Sequence, residues 1–176
     1  MQSSLIVRSL FVCLCLFLFA ACEERPCEEV NCVNGSCDEV TGECVCQEGF
    51  EGSLCETSIR QKFLGTYDVS YEGCFSTTPN HTVGIEQDPT AANQVLVKDL
   101  GDYACPEGEG RVILTAVIEG DQLTLAQQSV DCGQIIYNFL GNGRINEGVL
   151  TLDFWVNYDS DGIEREDRCT ATLQKR

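Results

Sequence analysis

Apolar and polar residues alternate along most of the chain after residue 60, and this period-two pattern predicts β-strands. The stretch 63–71 places Tyr67, Val69 and Tyr71 on one side. Because successive side chains of a strand point to opposite faces, such a run buries one face and exposes the other. The strongest run, 149–158, has four apolar residues on one face: Leu150, Leu152, Phe154 and Val156.

Turn residues divide these runs at short intervals. Gly120-Asp121 separates the runs 112–119 and 122–128, as in a two-residue hairpin. The residues 159–162 separate the run 149–158 from the run 163–173. The pattern indicates about eight strands and no helix. For residues 60–176 we therefore predict an all-β fold, in which an antiparallel meander closes into a barrel rather than a sandwich. Because the strands are short, we expect the interior of the barrel to be filled or narrow.

The first 21 residues have a different pattern, which is typical of an export signal. Arg8 is the only charged residue, residues 10–19 are apolar, and Ala20-Ala21 are small residues in front of Cys22. An apolar run of about ten residues is too short to span a bilayer as a helix, which needs about 20. We therefore predict a signal peptide over residues 1–21.

Leu18-Phe19-Ala20-Ala21-Cys22 resembles the lipobox of bacterial lipoproteins, with Phe19 where Leu is usual. The resemblance implies cleavage before Cys22, lipidation of Cys22, and a short tether over residues 22–26. The acidic pair after Cys22 resembles the tether of surface-exported lipoproteins of some Gram-negative bacteria. It implies outer-membrane attachment through the lipid anchor and exposure at the cell surface. The alternative is an ordinary signal peptide cut near Ala21, which leaves Cys22 free or paired.

Thirteen cysteines indicate an oxidising compartment. Cys13 and Cys15 lie in the predicted signal and Cys22 is the predicted anchor, so an even number remains for disulfides. Six lie close together between Cys27 and Cys55, and the spacing alone permits 15 connectivities. The other four are spread over the β domain and permit three pairings: Cys74, Cys105, Cys132 and Cys169.

Residues 27–55 resemble an EGF-like module, most specifically in the tail from Cys46 to Cys55 with its Gly49-Phe50-x-Gly52 sequence. We assign residues 27–56 to this domain. It contains few apolar residues, so disulfides would have to restrict the unfolded chain in place of a core. The resemblance implies first-to-third, second-to-fourth and fifth-to-sixth pairing: Cys27–Cys37, Cys32–Cys44 and Cys46–Cys55.

The segment Phe63-Leu64-Gly65-Thr66-Tyr67-x-Val69 resembles the opening of lipocalin-like domains, with Tyr67 where those domains have Trp. The resemblance implies a lipocalin-like barrel. In a closed meander the first and last strands are neighbours, so we predict Cys74–Cys169, which leaves Cys105–Cys132.

The formal net charge of -17 argues against nucleic acid as a partner. His81 is the only histidine, and we expect it in an exposed polar loop. We predict no catalytic residue, no cofactor and no metal ligand. The run Asn157-x-Asp159-x-Asp161-Gly162 resembles the start of a calcium loop, but Arg168 stands where the bidentate Glu is required, so we predict a hairpin turn there.

These expectations favour a cell-envelope or surface-exposed lipoprotein, not an enzyme, that acts as a binding, adhesion or display protein with a protein or carbohydrate partner. Two alternatives stay open. One is a carrier that holds a small apolar ligand inside the barrel, which requires an internal cavity. The other is a secreted hydrolase, which requires convergent carboxylates.

Overall fold

The computed structural model describes residues 26–74, 81–103, 105, 111–160 and 162–176. The signal peptide and Cys22 lie outside the described residues. The described chain is almost entirely β-structure and consists of a small N-terminal module, residues 26–58, and an eight-stranded closed antiparallel barrel.

The N-terminal module contains two short hairpins, and the barrel contains eight longer strands. In chain order, the module strands are β1 (Gly35–Cys37), β2 (Cys44–Cys46), β3 (Phe50–Glu51) and β4 (Thr57–Ser58). The barrel strands are β5 (Gly65–Glu72), β6 (Thr82–Gln87), β7 (Gln94–Lys98), β8 (Ile113–Glu119), β9 (Gln122–Asp131), β10 (Ile136–Asn146), β11 (Val149–Ser160) and β12 (Ile163–Lys175). Two single 3-10 turns, Ile59–Lys62 and Leu100–Asp102, complete the secondary structure.

Each barrel strand pairs with the next one along the chain, and β12 closes the barrel by pairing antiparallel with β5. The closing register sets Leu173 opposite Val69. The predicted all-β fold, the meander order and the closed barrel are confirmed. A two-residue turn at Gly120-Asp121 joins β8 to β9, as the sequence indicated.

Side chains from every barrel strand fill the interior. On β11, Leu152 and Val156 are fully buried, whereas Thr151 and Asp153 on the opposite face are exposed. The alternation read from the sequence is therefore the in–out alternation of the strand. The largest side chains that are fully buried in the barrel include Tyr67, Phe63, Phe139, Ile85, Leu114, Leu123, Leu150 and Leu173.

The two ends of the barrel differ. The base carries the β6–β7, β8–β9 and β10–β11 turns, the start of β5 and the end of β12. The mouth, the opposite end, carries the β5–β6, β7–β8, β9–β10 and β11–β12 connections.

The N-terminal module packs on the base. Gly49 has a φ of +90°, and a Cβ there would lie 2.7 Å from the backbone carbon of Ala92, so this close approach requires glycine. The amide of Ile59 donates to the carbonyl of Gly49 at 3.0 Å. Lys62 reaches both units, with Nζ 3.1 Å from Glu51 Oε1 and 2.8 Å from Asp121 Oδ1.

Candidate functional site

Five disulfides occur in the described residues, and they join the same cysteines as the sequence-based pairing. Three lie in the N-terminal module: Cys27–Cys37, Cys32–Cys44 and Cys46–Cys55. Cys74–Cys169 joins the end of β5 to β12, and Cys105–Cys132 joins the β7–β8 connection to the β9–β10 turn. Both barrel bridges therefore lie at the mouth.

The expectation that His81 is an exposed loop residue is wrong. Its side chain is only 10% exposed. Nε2 donates a hydrogen bond to the carbonyl of Asp99, and Nδ1 lies 3.5 Å from Asp102 Oδ1. Polar neighbours along the sequence suggested exposure, but the β7–β8 connection folds back over the histidine.

The part of that connection from residue 99 to residue 103, here called the strap, crosses the mouth. Asp99, Gly101 and Asp102 have left-handed backbone conformations, with φ of 64°, 75° and 57°. Aspartate and glycine are residues that accept this conformation most readily. The amide of Gly101 donates to the hydroxyl of Tyr71 at 2.8 Å, which fixes the strap to β5.

Tyr103, at the end of the strap, occupies the interior of the mouth. Its hydroxyl donates to Oδ2 of Asp167 at 2.6 Å, and the two residues are 7% and 2% exposed. Its ring centroid lies 5.4 Å from that of Tyr137, 5.6 Å from Phe139 and 5.9 Å from Tyr158. These separations are those of packed aromatic pairs, so Tyr103 fills the space between the rings.

Burial at the mouth alters the ionisation of the tyrosines. It raises the pKa of Tyr71 to about 12. Burial and the hydrogen bond to Asp167 together raise the pKa of Tyr103 even more. Both phenols are therefore neutral at physiological pH, and Tyr103 acts as a donor to Asp167. The described residues of the mouth form a hydrogen-bonded aromatic cluster.

Open depressions with described linings lie instead on the outer surface of the barrel. The first, about 510 Å³, lies across β10, β11 and β12. A second of about 390 Å³ continues across β9, β10 and β11, and the two share Asn142 and Asp153. A third of about 780 Å³ lies nearer the mouth and includes Asn138 and Asn157 in its lining.

The first depression is built from two rows of outward-facing residues that the strand register aligns. One row is Leu140, Trp155 and Arg168, and the other is Asn142, Asp153 and Thr170. We call these six residues the Trp155 face. Inward residues of the same strands, including Phe154 and Val156, belong to the packed core beneath it.

Contacts within and beside the Trp155 face hold its side chains in place. The hydroxyl of Thr170 donates to Asp153 Oδ1 at 2.6 Å. Arg168 Nε lies 2.6 Å from Glu166 Oε1. The indole N–H of Trp155 and the Arg168 guanidinium hold the pKa of the Glu166 carboxyl below its ordinary value. Glu166 therefore lies beside Trp155 and is ion-paired with Arg168.

Neither the Trp155 face nor the strap is evident from the sequence. Period-two alternation placed Trp155 on the outer side of its strand, away from Phe154 and Val156. The alignment of Trp155 with Leu140 and Arg168, however, requires the register of three strands. The predicted hairpin joins β11 to β12, but its turn is shorter than the run 157–162, because residues 157–160 belong to β11. The amide of Gly162 donates to Asp159 Oδ1 at 2.9 Å, and Asp161 lies outside the described residues.

Comparison with known proteins yields no matching family model. Among solved structures, the chain resembles the crystal structure of a short afifavidin–biotin complex, with 13% sequence identity and a TM-score of 0.38. The match covers 66% of this chain and 99% of that chain. That protein is described as bound to biotin, and the likeness carries no inference about a ligand of the present chain.

Among the described residues, no helix is long and apolar enough to cross a membrane. In the same part of the chain, no group of three or more His, Cys, Asp or Glu residues is arranged to hold a metal ion.

Proposed function

We propose that this protein is a cell-envelope lipoprotein with a lipid anchor on Cys22, and that its barrel is a non-catalytic binding domain displayed at the cell surface. The sequence up to Cys22 supports the anchor. The residues 27–56, with their EGF-like spacing, act as a bridged spacer between the anchor and the barrel. The five disulfides support an oxidising location outside the cytoplasm.

The observation that carries the binding role is the Trp155 face. Tryptophan and arginine are the residues that contribute most often to binding energy at protein surfaces. Here Trp155 on β11 lies in register with Arg168 on β12, over an open depression of about 510 Å³ that also includes β10. A site on strands above a packed core is held more rigidly than one on loops. Binding by the outer surface of the barrel is therefore the function this geometry supports best.

The carrier alternative is less well supported because side chains occupy the interior. Tyr67 and Leu152 are fully buried in the barrel, and Tyr103 fills the mouth. An apolar ligand inside would have to displace the strap and break the hydrogen bond between Tyr103 and Asp167.

The hydrolase alternative requires two carboxyl groups that converge on one bond. Two carboxyl side chains in the described residues are buried, Asp88 and Asp167. Asp88 follows β6 at the base and is bonded to Thr90, whereas Asp167 lies at the mouth, bonded to Tyr103. These two groups are at opposite ends of the barrel.

The proposed anchor is tested by expressing the full chain in a Gram-negative host with a clickable palmitate analogue. We expect the wild-type protein to incorporate the label, to fractionate with the outer membrane and to be cut by protease added to intact cells. Cys22→Ala should lose both the label and membrane attachment. Cys15→Ala is the matched control, because that cysteine lies in the predicted signal, and it should change neither.

Equal labelling and membrane attachment of Cys22→Ala would contradict the anchor. Protection of the protein on intact cells, with cleavage after the outer membrane is opened, would contradict surface display. Both outcomes are independent of whether the Trp155 face binds a ligand.

A further inference from the structure

From the Trp155 face we infer that the outer surface of β9–β12 binds a neutral oligosaccharide, an inference that rests on the proposed binding function and names its ligand class. A sugar ring has an apolar face of C–H groups and an edge of hydroxyl groups that both donate and accept hydrogen bonds. A matching site needs an aromatic surface beside several planar polar groups.

The side chains of the Trp155 face fit that requirement. Trp155 is half-buried and Leu140 is exposed beside it, which together provide an apolar surface. Arg168 supplies donors, Asp153 supplies acceptors, and Asn142 supplies both. Within the described chain, the amide of Asn142 makes no side-chain hydrogen bond, so both its donor and its acceptor are free for a ligand.

The charge of the face favours a neutral ligand. The whole chain has 28 acidic and 11 basic residues and a net charge of -17. The first two depressions and the residue that pairs with Arg168 hold two acids, Asp153 and Glu166, and two bases, Arg144 and Arg168, whose charges cancel. A cationic partner would be attracted to many other surfaces of so acidic a protein, and an anionic one would be repelled. A neutral polar ligand gains most from this face.

The extent of the surface favours an oligosaccharide over a single sugar. The second depression shares Asn142 and Asp153 with the first and continues to Thr124, Arg144 and Thr151. Along β11, Trp155 and Thr151 are four residues apart, which is about 13 Å at about 3.3 Å per residue. A chain of several sugar units can follow this path, while a monosaccharide would occupy one part of it.

Two side chains of the face already have partners before a ligand arrives. Thr170 donates a hydrogen bond to Asp153, and Arg168 is ion-paired with Glu166. Side chains that are already held in place lose less conformational entropy on binding.

Trp155 is the only tryptophan in the chain, so its fluorescence reports directly on this face. The experiment titrates the purified full chain, in detergent micelles, with four neutral hexasaccharides: cellohexaose, maltohexaose, mannohexaose and N-acetylchitohexaose. A hyaluronan hexasaccharide serves as the anionic control. We expect a saturable change in emission with at least one neutral hexasaccharide and none with hyaluronan.

Variants locate the site. Asn142→Ala and Asp153→Asn keep the fluorescent residue and should weaken binding at least tenfold. Trp155→Ala, measured by calorimetry, should abolish it. Thr172→Ala is the matched control, because Thr172 is exposed on β12 outside both depressions, and it should bind like the wild type.

Three results would overturn the inference: no response to any of the four neutral hexasaccharides, binding that Asn142→Ala and Asp153→Asn leave unchanged, or a response to hyaluronan as strong as that to a neutral hexasaccharide. A fourth is a dimer in sedimentation that Trp155→Ala dissociates, since the face would then be an interface between two copies of the chain. None of these results bears on the membrane anchor, which is tested separately on intact cells.

Discussion

The N-terminal module and the barrel differ in what they bury. In the module, Val40 is 88% exposed, and other large apolar side chains of the same region, Val33, Val45 and Leu54, are also exposed. In the barrel, apolar side chains from all eight strands form one continuous core. Three disulfides crosslink about 30 residues in the module, whereas two crosslink the whole barrel.

This difference shows two routes to a folded chain. Burial of apolar surface stabilises the barrel at roughly 25 cal/mol per Å². A segment as short as the module buries too little surface for that, and its disulfides instead lower the entropy of the unfolded chain. The two parts should therefore respond to different perturbations.

The largest expected effect comes from the bridge with the longest loop. Cys74 and Cys169 are 95 residues apart in sequence, and closure of a loop of that length is worth about 4–5 kcal/mol in the chain-entropy treatment. We expect the Cys74→Ala/Cys169→Ala variant to lose about that much free energy of unfolding in a denaturant titration. It should still unfold cooperatively because its core is intact. Loss of cooperative unfolding would show that the barrel depends on the bridge as the module does.

The next effect tests the core itself. Leu152→Ala removes a fully buried side chain from β11 and should lower the free energy of unfolding of the barrel by about 3 kcal/mol. Val40→Ala is the matched truncation in the module. It should change stability by less than about 0.5 kcal/mol because Val40 is exposed. If chemical denaturation gave similar losses of unfolding free energy for the two variants, the barrel and the module would not differ in how they are stabilised.

Removal of one disulfide from the module should cost less free energy of unfolding than the core substitution, but it should unfold the whole module. Cys46 and Cys55 close a short loop, and their bridge is worth about 2–3 kcal/mol. We expect Cys46→Ser/Cys55→Ser to unfold the module while the barrel remains folded. Amide hydrogen exchange should show lost protection at Val33 and Gln47, whose amides donate to the carbonyls of Leu54 and Asn34, and unchanged protection in β11. Retained protection in the module would mean that its packing on the base, rather than its bridges, keeps it folded.

The smallest effect is a pH dependence of stability that concerns the barrel and not the module, because all five tyrosines lie in the barrel. Burial raises the pKa of Tyr67 to about 12, from about 10 in an unfolded chain. Because the buried phenol is favoured in its neutral form, it contributes its full stabilisation below pH 10. This contribution to the free energy of unfolding is lost as the pH rises towards 12. From Tyr67 alone, about 1.4 kcal/mol should be lost at pH 11.

The measurement is a denaturant titration at pH 8 and pH 11, with tyrosinate absorbance followed near 295 nm. Tyr67→Phe should lose this part of the pH dependence, although it also loses the hydrogen bond that Tyr67 donates to the carbonyl of Phe63 at 2.6 Å. Tyrosinate formation with an ordinary pKa in the folded protein would contradict the burial of these phenols.

Much of the fold could be predicted from the sequence because its determinants are local. The β8–β9 hairpin follows from Gly120-Asp121 between two alternating runs, and the inward face of β11 follows from period-two alternation. Closure of the meander follows from the number and order of strands. The first two features depend on neighbours in the sequence, whereas closure pairs β5 with β12, about 100 positions later.

The strap and the Trp155 face could not be predicted because their contacts join residues far apart. Tyr103 and Asp167 are 64 positions apart, and nothing near either residue indicates the partner. The burial of His81 could not be predicted for the same reason, since the strap residues that cover it lie about 20 positions later. The rows of the Trp155 face likewise depend on strand register, which a single sequence does not specify.

The position of the crosslinks also bears on how the molecule carries mechanical force. A pulling force applied to the chain before residue 26 acts first on the module, whose three disulfides limit how far residues 27–55 can extend. The force then enters the barrel at the start of β5, next to the ion pairs of Lys62. At the far end of the same strand, Cys74 is bonded to Cys169 on β12. A covalent link thus holds the far end of the first barrel strand to β12, so a pull on the N-terminus that separates the start of β5 cannot remove the whole strand from the barrel.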